Sequence, residues 1–160
     1  MESANKRIAR AAYDGLCAAL DRREWIYSKV PSKLAVTFKI KGDDIPMEFA
    51  YMVEEESMRL LVACRLPFKV RPNEGTAEMA TAVCAASCRL MHGSFKLDFK
   101  NSEVTYILAS TFGESKLGEG YFDYMIDISC LEVEMFNEKL FALAKGIVDI
   151  TAFVKLLDEE

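Results

Sequence analysis

Cys84, Cys88 and His92 fall at i, i+4 and i+8 of one stretch, a spacing that puts them on one face of a helix. Thiolate and imidazole are the ligand types zinc prefers. The outer two would stand about 12 Å apart along a helix axis, so one ion cannot take all three. A shared metal would need further ligands from elsewhere. Free cysteine is commonly buried. Cys84 and Cys88 therefore read as small core residues. His92 reads as a side chain at a helix C-terminus, where the helix dipole favours a cation. No metal site is expected.

His92 is the only histidine, so a Cys–His or Ser–His nucleophilic centre would have to use it. Gly113-Glu114-Ser115-Lys116-Leu117-Gly118-Glu119-Gly120 resembles a phosphate-binding loop at first sight. Such a loop needs Lys and then Ser or Thr directly after its last glycine. Glu119 stands where the lysine would be, and its charge would repel phosphate. Glu54, Glu55 and Glu56 are consecutive carboxylates at a turn, and their side chains point in different directions. None of these groups assembles a nucleophile, a base and an orienting partner. No catalytic residue and no cofactor are expected.

The elements around these residues alternate in period. Ser3 to Glu24 has helical spacing, with Ser3 as its cap and Ile8, Ala11, Ala12, Leu16, Ala19 and Leu20 recurring. Trp25, Ile26 and Tyr27 form an apolar connector before Pro31. Three strand patterns follow, around Val36–Ile40, Met47–Val53 and Met58–Cys64, joined by the turns Gly42-Asp43-Asp44 and Glu55-Glu56-Ser57. Short polar connections join antiparallel neighbours, so this is a meander, closed by Pro67 and Pro72.

A helix is expected from Asn73, its N-cap, to His92. Apolar residues on two sides of it, Ala77, Ala80, Cys84, Cys88 and Met91 against Met79, Val83, Ala86 and Leu90, imply burial on both sides. After Gly93 the period returns to two. Phe95, Leu97 and Phe99, then Val104, Tyr106 and Leu108, form a hairpin turned at Asn101-Ser102. From Tyr121 to Leu157 the rhythm is helical through Phe122, Met125, Ile128, Leu131, Met135, Leu140 and Leu143. One rod of that length would span roughly 55 Å, so a break near Gly146 with Asp149 recapping is expected. The dense apolar content here fits self-association.

One surface keeps a functional reading. Met52, Leu61 and Ala63 share the outward face of the first sheet with Lys39, Glu48, Arg59 and Arg65. A solvated sheet face is usually more polar. Either a helix covers this face, or it docks a protein partner or a second subunit.

Size and charge bound the rest. The chain has 160 residues, 51% of them hydrophobic and 28% charged, enough for one domain over residues 1–160. A net charge of -5 disfavours nucleic acid as the main partner. No apolar run reaches the length of a membrane span, and no secretory signal is evident. Five scattered cysteines read as reduced thiols of a cytoplasmic protein.

The element order resembles the α+β fold of type III secretion chaperones. Within that fold it is most similar to the YbjN family, described as candidate bacterial sensory-transduction regulators. The resemblance runs from Trp25 to about Leu157. It rests on Trp25 itself, on Leu66-Pro67-Phe68-Lys69-Val70, and on Leu90-Met91-His92-Gly93-Ser94-Phe95-Lys96-Leu97-Asp98 followed by Glu103-Val104-Thr105-Tyr106. It implies a bacterial cytoplasmic protein, often dimeric, without established catalytic residues. The expectation is a non-enzymatic, chaperone-like or regulatory protein-binding homodimer whose partner docks around Met52, Arg59, Leu61, Ala63 and Arg65. The alternative is a small-ligand sensor or enzyme with a pocket between His92 and the Gly113–Gly120 loop.

Overall fold

The computed structural model describes residues 3–159. Its elements in chain order are α1 (Ala4–Arg22), β1 (Tyr27–Val30), a 3-10 turn (Pro31–Lys33), β2 (Ala35–Lys41), β3 (Pro46–Glu54), β4 (Arg59–Lys69), α2 (Glu74–Ser87), β5 (Ser94–Asp98), β6 (Glu103–Thr111), α3 (Glu119–Ala144) and α4 (Ile150–Asp158). The strands form one antiparallel sheet in the order β1-β2-β3-β4-β6-β5. This is the α+β architecture expected: helix, meander, helix, hairpin and a broken helix pair.

The local signals explain most boundaries. The Ser3 hydroxyl accepts from the Lys6 amide at 3.2 Å and starts α1. The long C-terminal helical region breaks at Gly146, whose φ of +71° suits glycine. Asp149 restarts it by accepting from the Ala152 amide at 2.7 Å. In β2, β3 and β4 every second residue is buried: Val36 and Phe38, then Phe49, Tyr51 and Val53, then Leu60, Val62 and Cys64. These meet α1 and α3, so the core lies between one face of the sheet and the helices.

Four expectations need correction. The connector after Trp25 contains a strand, β1, which pairs with β2 from Tyr27↔Phe38 to Val30↔Ala35. Pro67 does not end the meander; β4 runs through it to Lys69. The β4–β6 register shifts between Arg65 and Lys69, so Pro67 sits where the ladder is irregular and its missing N–H costs little.

The third correction concerns α2. It ends at Ser87, and residues 88–93 form turns instead of more helix. Asn73 does not cap α2 with its side chain. Only one side of α2 is buried, through Met79, Ala82, Val83 and Ala86, while Ala77, Cys84 and Cys88 are exposed. Cys84 and Cys88 are therefore not core residues; the buried thiols are Cys17 and Cys64.

The fourth concerns α3. Its buried stripe is Phe122, Met125, Ile126, Ser129, Glu132, Val133, Phe136, Asn137 and Leu140. Leu131 and Met135, expected to pack inward, face solvent. A helix apolar on most sides leaves its phase undetermined by hydropathy alone.

Candidate protein-interaction surface

The register of the sheet brings the outward residues into cross-strand rows. Ala35, Met52, Leu61 and Ala109 form one row across β2, β3, β4 and β6. Thr37, Ala50, Ala63 and Ile107 form the next, continued by Ser28 on β1 and Ser94 on β5. Lys39, Glu48, Arg65, Thr105 and Lys96 form the third. On the other side, Glu54 faces Arg59 across the β3–β4 pair and accepts from its guanidinium. An apolar row and a second row that is apolar in its middle and hydroxyl-bearing toward its ends thus run between two charged margins.

The five residues singled out in the sequence are brought together here. Met52 and Leu61 are direct partners, Ala63 faces Ala50, Arg59 faces Glu54, and Arg65 faces Glu48. Ala50 and Arg65 are exposed, and Met52, Leu61 and Ala63 are half-buried by their neighbours alone. No described helix covers this face.

Small side chains make its middle concave. Ala50 and Ala63 floor a depression of about 210 Å³ that also meets Thr37, Glu48, Arg65 and Thr105. An adjoining depression of about 360 Å³ shares Thr37 and Glu48 and ends at Ile26. Ile26 is 94% exposed. The margin formed by the third row carries an exposed ion pair, Lys39–Glu48 at 3.7 Å, and Arg65 stands 3.7 Å from the half-buried Glu103. Such pairs contribute little stability and leave polar groups at the rim available for exchange.

A second unpartnered region lies at the far edge of the sheet. β5 is an edge strand, and α2 packs beside it. Between them runs an open groove of about 540 Å³, lined by Val83, Cys84, Cys88, Phe95, Leu97 and Phe99 among others. Phe99 is 69% exposed.

His92 belongs to a different constellation. It stands beyond the end of α2, in the turn before β5. The buried carboxylate of Glu132 on α3 accepts from the backbone N–H of Met91, His92 and Gly93 at 3.2, 3.0 and 2.9 Å, and from the Tyr106 hydroxyl. The His92 ring approaches Glu132 through Nδ1 at 3.3 Å and Tyr124 through Nε2 at 2.7 Å. Burial pushes the Glu132 carboxyl upward, but the donors from Tyr106, Gly93 and His92 outweigh it, so its pKa is lowered overall. Burial, then the bond to Glu132, push Tyr106 far above its ordinary range.

Gly93 lies so close to Tyr106 that an added Cβ would overlap the ring and hydroxyl. That contact and the Glu132 clamp are incompatible with a longer α2: the amides of Met91, His92 and Gly93, which a continuing helix would give to the carbonyls of Ser87, Cys88 and Arg89, are bound by Glu132 instead. The sequence reading missed Glu132, Tyr106 and Tyr124. The available signal was a charged residue, Glu132, three or four residues from Phe136, Ser129 and Ile128 inside an apolar run.

The other candidates separate. Loop residues Glu114 to Leu117 line a cavity of about 270 Å³ with Ile8, Ala11 and Ala12 of α1, while His92 faces Glu132 and Tyr124. Cys84 and Cys88 turn to the α2–β5 groove. Among the described residues, no group of three His, Cys, Asp or Glu side chains could hold one metal ion. None of the described helices is long and apolar enough to cross a membrane.

These features define a type III secretion chaperone-like α+β fold, with one sheet face packed by helices and the other open. No family model and no curated protein matches the sequence. Solved structures do match. YbjN from E. coli, described as a candidate transcription regulator, aligns with a TM-score of 0.62 at 14% identity, over 83% of this chain and 92% of that one. A chain of the HopA1–SchA chaperone–effector complex aligns with a TM-score of 0.56 at 10% identity, over 81% and 95%. A chain of the ExsC–ExsE complex aligns with a TM-score of 0.55 at 10% identity, over 81% and 92%. At these identities the likeness shows the fold.

Proposed function

We propose that this chain is a non-enzymatic protein-binding module, chaperone-like or regulatory, that works as a homodimer in a bacterial cytoplasm. The observation that carries the reading is the open sheet face, where an alanine-floored depression and the Met52–Leu61 pair lie between charged margins. Apolar centre and polar rim are the anatomy of a protein interface. Complexes among the solved structures of this fold support a protein as the occupant.

The homodimer would form at the α2–β5 groove. An edge strand beside an apolar helix face is a natural place for self-pairing. An odd, scattered set of five cysteines fits a reducing compartment.

Two measurements test the reading. Light scattering on the purified protein should give twice the chain mass; a monomer at every accessible concentration removes the dimer. Leu61→Lys should keep a cooperative unfolding transition with only a modest fall in thermal midpoint, because Leu61 is half-buried on the open face and outside the core. It should also reduce capture of the native partner. Unchanged capture removes the sheet face as the docking site.

A further inference from the structure

The inward turn of Glu132 has an outward consequence. α3 must present its opposite side to solvent, and that side is not polar throughout. Tyr124, Leu131 and Met135 are 51, 53 and 38% exposed. On a helix of about 3.6 residues per turn they lie within about 40° of one another, as a ridge roughly 16 Å long. Met91, held beside the ridge because its amide is bound by Glu132, is 90% exposed.

The ridge has a charged border on one side. Asp127, Glu134 and Glu138 are exposed and lie about 20° to 60° round the helix from Leu131, away from His92. Asp127 already accepts from Arg23 at 2.7 Å; Glu134 and Glu138 are the exposed carboxylates that continue the border along the helix. A chain of net charge -5 adds to its field.

This pattern argues against a second copy as the occupant. In a two-fold antiparallel contact between two α3 helices, each flank meets its own equivalent. With the two-fold axis near Leu131, at the middle of the ridge, Glu134 would then meet Asp127 of the other copy across the interface. Like charges placed so are costly. A partner helix with apolar residues at three- and four-residue spacing and Lys or Arg along one flank satisfies both the ridge and the border.

We propose that the outward ridge of α3, with Met91 beside it, is a second docking surface that accepts a basic amphipathic helix of a partner protein. This surface is separate from the sheet face and does not depend on it.

The test uses the full chain with methyl-labelled methionine and a synthetic helical peptide with Leu at the ridge spacing and Lys on one flank. Binding should shift the Met91 and Met135 methyl signals and leave the buried Met47 and Met79 signals in place. Leu131→Glu should weaken the peptide by about tenfold or more, as a central apolar contact does. Glu134→Lys with Glu138→Lys should weaken it and flatten its salt dependence. Leu61→Lys, on the sheet, should have no effect. The proposal is overturned if the peptide does not bind, or if a Leu–Glu or scrambled Leu–Lys peptide binds equally well. It is also overturned if the α3 variants bind unchanged, or if Leu131→Glu turns a dimer into a monomer, which would make a second copy the occupant.

Discussion

Replacing Glu132 by Gln probes the clamp that holds the α2–β5 turn to α3. The carboxylate receives three backbone amides and the Tyr106 hydroxyl. One oxygen takes Met91 and His92, the other Gly93 and Tyr106. An amide keeps one acceptor oxygen and sets an NH2 group against the remaining pair of donors. Tyr106 is fully buried and cannot rehydrate, so the retained oxygen should stay on the Gly93 and Tyr106 side. Met91 and His92 are exposed and can turn to water.

Two displaced donors, partly rescued by solvent, cost about 2–4 kcal/mol. For a chain of this size that lowers the melting temperature by about 6–12 °C. The assay is thermal unfolding of wild type and Glu132→Gln at a series of pH values. Glu132 has a folded pKa below its unfolded value. Its ionised form therefore stabilises the fold fully above an unfolded pKa of about 4.3, and that contribution is lost as pH falls through the folded pKa. The gap between the two proteins should be widest near neutrality and should narrow below about pH 4. Other carboxylates with lowered pKa values, Glu54 and Asp98, are common to both proteins and cancel. A gap under about 1 °C at neutral pH, or one that stays constant or widens in acid, refutes the reasoning.

Gly93→Ala should destabilise by about 1–3 kcal/mol, because the new methyl displaces Tyr106 from Glu132; unfolding in urea measures it, and a near-neutral result would show that the turn yields. In native protein a thiol reagent should modify Cys84 and Cys88 first, unless the dimer covers them, and leave Cys64 intact, since burial pushes its thiol up to about 12. Mass mapping of the labelled peptides decides it, and early loss of the Cys64 thiol would contradict the packing. Labelling that is fast in dilute protein and slow in concentrated protein would place the dimer at the α2–β5 groove.

Most of the fold was legible because its signals are local. Alternation marks β2 to β6, Ser3 and Asp149 cap their helices, and Gly146 breaks the last one. What escaped was set at long range. β1 has four residues, Tyr27-Ser28-Lys29-Val30, too few for a period, and becomes a strand by pairing with β2. The end of α2 is decided by Glu132, some forty residues further on. The phase of α3 is decided by which side the sheet tyrosines reach: Tyr51 meets Ser129 and Tyr106 meets Glu132. Hydropathy alone favoured Leu131 and Met135, which are as apolar as the residues that are buried. Which residues share the outward sheet face was legible because strand alternation assigns them, but whether a helix lay over that face depended on tertiary packing.

The docking role of the open sheet face is tested most directly by photo-crosslinking in the native cell. A photoreactive residue at Ala50 or Ala109, both exposed on that face, should yield an adduct with a partner protein, and the yield should fall when Leu61→Lys is added. The same residue at Val154, on α4, should not yield that adduct. Equal adducts from all three positions, or none from the sheet, would contradict the account.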